Sequence, residues 1–288
     1  MMRLLASLRP LWSIVLIVSL GMIPLMIMDM LAPEWSFPLA VVIAVSSVLM
    51  SATPRSPVGT VFEMSAPVRG DWAALNSPGQ ALPSHGTRVL GQYAAIDIIR
   101  PTTADTPPMV RHALRSSPAH AFPTFGAGIY AMAPGTVIKT STTQRDHAAR
   151  NTWQAMAFML TVEGFVRSLL GVRFLFGNYV IIGHHDGTFA AYAHLRHDSV
   201  AVREGDQIGE EDKIAEVGNS GNSSVPHLHV HLMDRANPHA AAGLKMIWHD
   251  ITLSGEIDGA LEELAKHPTG STVPGMPRNG EIFRANGA

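Results

Sequence analysis

Two apolar runs occupy the start of this chain and end near Arg55, and they constrain the rest more than any other feature. The first, 11–28 (LWSIVLIVSLGMIPLMIM), has 18 uncharged residues behind Arg3 and Arg9, enough to span a bilayer. The second, 37–51 (FPLAVVIAVSSVLMS), has 15 and is marginal. A buried core helix is the alternative for either run, and a cleaved signal peptide for the first. The intervening loop, with Asp29, Glu34 and Trp35, has no convincing A-x-A site, which favours retention. Residues 1–55 therefore read as a membrane anchor, a transmembrane helix or a hairpin. Parity stays open: Arg3 and Arg9 put the N-terminus inside, so two spans return the remainder to the cytoplasm and one span places it outside.

After Arg55 the chain turns into short apolar runs punctuated by Pro, Gly and Ser, with turn signals at Asn76-Ser77-Pro78-Gly79 and His185-Asp186-Gly187. Strands are expected at 94–99, 128–131, 136–139, 179–183, 189–193, 213–217 and 227–233. Many short strands with tight turns imply a mostly β, antiparallel sandwich or open barrel over 56–250. One segment, 145–171, lacks Pro and carries apolar residues at helical spacing, so it reads as an inserted helix. Its apolar residues cover much of its circumference, with Glu163 and Arg167 as interruptions. It can pack on the sheet, lie on the membrane surface or close over a groove. Gly, Pro and Asn enrichment after His267 suggests that 251–288 is a loose tail. At 47% hydrophobic the chain is too apolar for disorder, and a net charge of −2 with 15% charged residues offers no basic surface for nucleic acid.

The chain has no cysteine, which removes disulfides, thiolate metal sites and thiol nucleophiles; its 14 histidines and its carboxylates are then the available zinc ligands. Pro226-His227-Leu228-His229-Val230-His231 places three imidazoles on one face of a strand, because residues i, i+2 and i+4 point the same way. The Gly218–Ser224 loop before it would open that strand into a cleft. His194 ends another strand and matters only if it meets this cluster. Asp97 is a lone carboxylate in an apolar strand and needs a strong partner, either an arginine such as Arg100 or Arg88, or a cation. Neutral imidazoles plus one carboxylate compose a catalytic zinc centre rather than a closed structural one.

Val217-Gly-Asn-Ser-Gly-Asn-Ser-Ser-Val-Pro-His-Leu-His229 resembles the lysostaphin-type (LytM-like) zinc metalloendopeptidases, in order and spacing. So do 177–187 (GNYVIIGHHDG), Tyr192-Ala193-His194-Leu195 and 202–209 (VREGDQIG). The similarity runs from about Val68 to Asp234. It implies a small antiparallel β domain that uses one zinc ion per chain to hydrolyse peptide cross-links in bacterial peptidoglycan. Carried over by residue, it makes Asp97 and His229 zinc ligands, and His194 and His227 the pair that orients the attacking water and stabilises the oxyanion. The common pattern has a histidine four residues before the aspartate, where this chain has Tyr93. Gln92-Tyr93-Ala94-Ala95-Ile96-Asp97 instead resembles a variant of membrane-attached relatives whose histidine lies upstream in a loop, and His85 is the natural candidate for it.

Substrate grip is expected from glycine-rich walls, with Asn178, Asn219 and Ser220 as contacts, and His231 in a substrate or supporting role. The two readings that follow are a membrane-attached zinc peptidase of the cell wall, with peptidoglycan peptide as its partner, and a degenerate LytM-like module that binds wall or regulates another hydrolase. The enzyme reading puts the domain outside the cytoplasm of a bacterial cell, against the simplest two-span count.

Overall fold

The computed structural model describes residues 1–268 and 270–287. Three helices come first: α1 (Met2–Ser7), α2 (Arg9–Ile27) and α3 (Ser36–Met50). Arg9–Ile27 and Pro33–Met50 are each long and apolar enough to cross a membrane. They run antiparallel, since the Arg9 guanidinium at the start of α2 donates to the carbonyls of Met50 (2.9 Å) and Ala52 (2.7 Å) at the end of α3.

Thirteen strands follow: β1 (Val61–Met64), β2 (Gly70–Leu75), β3 (Ile96–Ile99), β4 (Gly128–Tyr130), β5 (Gly135–Ser141), β6 (Asn178–His184), β7 (Phe189–Leu195), β8 (Gln207–Ile208), β9 (Lys213–Glu216), β10 (Leu228–Met233), β11 (Gly243–Trp248), β12 (Ile251–Ile257) and β13 (Glu281–Ala285). The main sheet runs β12-β13-β2-β3-β10-β7-β6-β5-β8, with β11 joined to β10 and β1 to β11. All its pairings are antiparallel except β1–β11. β4 and β9 form a separate ribbon. The largest core lies between ribbon and sheet, where Ile129, Ile214 and Ala215 meet Val180, Ile182, Tyr192, Leu228 and Val230. The fold is thus mostly antiparallel β, as the spacing of the apolar runs implies.

Period-two alternation gives each central strand a second face. On β10, Leu228, Val230 and Leu232 enter the main core, while His229 and His231 point the other way, alongside Met233 in a smaller cluster with Phe176, Tyr179 and Ile181. The site is built on this second face.

Two expectations need correction. The segment after 250 is no loose tail: β13 pairs with β2 and buries Phe283 fully, and β12 pairs with β13. Its pairing partner β2 lies some 210 positions upstream, so local composition carries no sign of it. The helical insertion begins later than 145 and ends later than 171. Thr152 caps the start of α4 (Trp153–Phe158), its side chain accepting from the Ala155 amide at 3.3 Å. The chain continues through a wider π turn (Met159–Glu163) into α5 (Gly164–Leu170) and α6 (Val172–Phe176). Residues 145–151 have no regular secondary structure and are bonded to neighbouring loops, with Arg150 N donating to Ser224 O and Ala149 N to Ser117 O.

Candidate metal centre

Cross-strand register brings the first two donors together. His229 on β10 lies directly opposite Asp97 on β3, and its Nδ1 is 2.8 Å from Asp97 Oδ1. His85 arrives from the 76–95 loop, with its Nε2 3.0 Å from Asp97 Oδ2. Ligand atoms of His85, Asp97 and His229 lie within 4.8 Å of one another. Neither Arg88 nor Arg100 serves Asp97: Arg88 stacks on Tyr93, and Arg100 covers Trp72 and donates to the Asp71 carbonyl.

His194 reaches the same face by a break in parity. Ala190 and Tyr192 of β7 enter the main core, so strict alternation would send His194 after them and turn Leu195 outward. Instead Leu195 is in the core and His194 lines the cleft. The reversal coincides with a left-handed backbone at His194 (φ 62°) and a register shift against β6 between Asn178 and Val180. A bulge re-aims side chains in this way. The His194 and His227 rings then lie 4.8 Å apart, and His227 Nε2 is 3.6 Å from Asp97 Oδ1.

The hydrogen-bond network assigns the imidazole tautomers. Carbonyls only accept, so His231 Nε2–H donates to Leu90 O (3.2 Å), which makes neutral His231 Nδ1 an acceptor for His229 Nε2–H (3.1 Å). His229 Nδ1 is thereby left with a lone pair facing Asp97. His85 follows the same logic: the Ser84 hydroxyl donates to Ala95 O (2.6 Å) and so accepts from His85 Nδ1 (3.3 Å), leaving the Nε2 lone pair towards Asp97. His194 Nδ1 donates to Ser220 O (2.9 Å) and His227 Nδ1 to Val225 O (2.7 Å), so each Nε2 is also an acceptor.

Burial, together with the neighbouring imidazoles, pushes the basicity of His194 and His231 well down and lowers that of His229, which favours neutral rings. Burial opposes ionisation of Asp97 as well; positive charge on His85 and His227 and hydrogen bonds from His229 and His85 would outweigh it and hold the carboxyl well below its usual range, and with these rings neutral a bound cation takes over that role. Two imidazole lone pairs thus face two oxygens of one carboxylate, an arrangement that repels unless a cation lies among them. The donor set of two nitrogens and one carboxylate suits zinc.

The cleft has a volume of about 440 Å3. Its walls hold residues that pattern reading passed over. Asn76, from the Asn-Ser-Pro-Gly turn, donates to Asp97 Oδ2 at 2.8 Å. Thr87 and Gln92 line one side, Asn222 and Ser224 another, and Met156, Met159, Leu160, Leu175 and Phe176 of the helical insertion close a third.

The expected substrate contacts sit elsewhere. Asn178, Asn219 and Ser220 are fully buried and do not line the cleft. Asn178 Nδ2 donates to Gln144 O and Leu195 O, Ser220 Oγ to Leu195 O, and Asn219 Nδ2 to His147 O. The glycines beside them serve backbone-to-backbone packing: a Cβ on Gly177 (φ 70°) would collide with Ser220. His231 lies behind His229, away from the cleft.

Comparison with known proteins adds sequence likeness to this geometry. Residues 159–241 match peptidase family M23. The chain is 36% identical over 62 residues to the peptidoglycan DD-endopeptidase ShyA of Vibrio cholerae, a match covering 22% of this chain and 14% of that protein. It is 42% identical over 50 residues to lipoprotein NlpD of Yersinia enterocolitica, covering 17% of this chain and 50% of that one. Among solved structures, a zinc-containing peptidase from Vibrio cholerae aligns with a TM-score of 0.30 and 18% identity, over 62% of this chain and 36% of that one.

Proposed function

We propose that this chain, whose residues 159–241 match peptidase family M23, is a zinc-dependent endopeptidase that cleaves peptide cross-links of bacterial peptidoglycan from a membrane-attached, extracytoplasmic position. The observation that carries the reading is the pair of imidazole lone pairs, His85 Nε2 and His229 Nδ1, set against the two oxygens of Asp97 at 3.0 and 2.8 Å. His85 supplies the ligand for which Tyr93 stands in the commoner pattern.

His85, Asp97 and His229 would hold a zinc ion, which would supply Lewis-acid polarisation of the scissile carbonyl and lower the pKa of a water towards neutrality. The remaining work falls to the chain. His227 and His194, each fixed by a carbonyl on Nδ1, present Nε2 acceptors that take the proton of the attacking water and return it to the departing amine. Once protonated, the same rings donate to the oxyanion. Asn76 holds the Asp97 carboxylate in place, and His231 does the same for His229. The apolar wall of Met156, Met159 and Phe176 limits water and raises the strength of these interactions.

A degenerate module would share the fold but hold no metal. The test is zinc content and hydrolysis of purified cross-linked muropeptide by the full chain in detergent. One zinc per chain is expected in the wild type, lost in both His85→Ala and His229→Ala. His227→Ala should keep its zinc and lose hydrolysis by 100-fold or more, on the order of a general acid–base contribution. A folded wild-type chain that takes up no zinc overturns the enzyme reading.

A further inference from the structure

The helical insertion is amphipathic with its faces reversed. On the side turned to the protein, Glu163 accepts from Arg150 Nε (2.7 Å) and Arg167 Nε (2.9 Å), and none of the three side chains is more than 18% exposed. On the outer side Trp153, Phe158, Leu160, Phe165, Leu170 and Phe174 are 39–70% exposed. A water-facing helix places its charges outward and its apolar residues inward. Six large apolar side chains on one outer surface, with the ion pairs beneath, suit a non-aqueous neighbour.

That surface is continuous with the apolar hairpin. Helix α2 packs on α5, and Arg9, Met50, Ser168 and Leu175 line a common cavity between them. At the junction Pro10 and Leu170 share a second cavity with Lys139 and Arg173, two exposed cations at the edge of the apolar surface. Cations bordering an apolar face are the signature of the headgroup layer. The insertion is also the third wall of the metal cleft, and Leu160 lies both on the outer surface and in that wall.

We propose that the insertion 153–176 lies in the interfacial layer of a lipid bilayer, so that the mouth of the cleft opens at the membrane surface. The cleft then takes peptides presented at that surface rather than peptides deep in the wall. This rests on the hairpin being in the membrane, and the test separates the two statements.

The absence of cysteine makes single labels straightforward. The full chain carrying a nitroxide on Leu160→Cys, Phe165→Cys, Val18→Cys or Glu256→Cys is placed in nanodiscs of mixed zwitterionic and anionic phospholipid. Collision of the label with oxygen, which concentrates in lipid, is compared with collision with a water-soluble nickel chelate. Val18 on α2 reports the hairpin, and Glu256, exposed on β12, reports water. The expected result is an oxygen-to-nickel ratio at 160 and 165 several-fold above that at 256 and below that at 18. Labels at 160 and 165 as accessible to nickel as the label at 256, with 18 still in lipid, overturn the inference and leave the hairpin reading standing. All four labels in water overturn both.

Discussion

His231 shows how much of this site depends on groups outside the cleft. Its Nδ1 accepts from His229 Nε2–H and its own Nε2–H is held by Leu90 O, so the tautomer of His229 is set two residues away. His231→Ala removes the acceptor and frees the His229 ring. Zinc affinity should fall about 10- to 100-fold, as for other outer-shell partners, read by competition with a chelator; a loss of stability at unchanged affinity would reduce His231 to filling space. Acid should act on the metal-free protein in a defined direction. His194 and His231 bind protons less readily folded than unfolded. Below the unfolded value of about 6.5 the unfolded chain therefore takes up more protons, and stability declines. The denaturation midpoint should be flat from pH 7.5 to 9 and fall steadily from 6.5 to 5; a midpoint that rises on acidification contradicts the neutral assignments. From sequence, the three imidazoles of 227–231 were legible because strand periodicity alone puts them on one face. Asn76 was legible only as a turn, since its contact with Asp97 is made across the fold.

Seven of the thirteen strands, β3 to β7, β9 and β10, were legible from their own apolar runs, while β1, β2, β8, β11, β12 and β13 were not. Illegible too were the places where alternation fails. β7 switches parity at His194, through a left-handed residue that no apolar pattern reports. β12 is exposed along most of its length and so has no apolar face to detect. The 76–95 loop that delivers His85 is fixed from the far end of the chain: Ser77 N donates to Asn279 Oδ1 at 2.8 Å and Gln80 Nε2 to Lys266 O at 2.9 Å. Those contacts, made by the segment between β12 and β13, tie the C-terminal region to the loop that carries His85. Phe283→Ala should cost about 3–5 kcal/mol by denaturant titration, the usual range for a buried aromatic, where a loose tail would cost nothing measurable. Gly177→Ala tests the other support. A Cβ there meets Ser220, whose carbonyl holds His194 Nδ1. Backbone strain of about 1–3 kcal/mol is expected, together with a lower kcat at unchanged zinc content.

At the scale of the whole molecule, the two ends of the helical hairpin bear on a count that the sequence left open. Arg9 ties the start of α2 to the end of α3, and Arg3 reaches Asp234 Oδ2 at 2.6 Å and Ala240 O. The N-terminus, the end of the hairpin and the β domain are therefore at one end of α2 and α3. If both helices cross a membrane, the N-terminus shares the side that the domain occupies. A cell-wall substrate then places Arg3 and Arg9 outside, against the usual bias of basic residues towards the cytoplasm. In the folded chain neither charge is free: one is paired with a carboxylate and the other is buried against two carbonyls. Topology reporters fused before Met1 and after Ala288 should consequently read the same compartment, and the enzyme reading requires it to be the extracytoplasmic one. Opposite compartments would show that only one of the two helices crosses. Two cytoplasmic readings would keep the hairpin but remove the domain from its proposed substrate, because peptidoglycan lies outside the membrane and a cleft on the inner face cannot reach it.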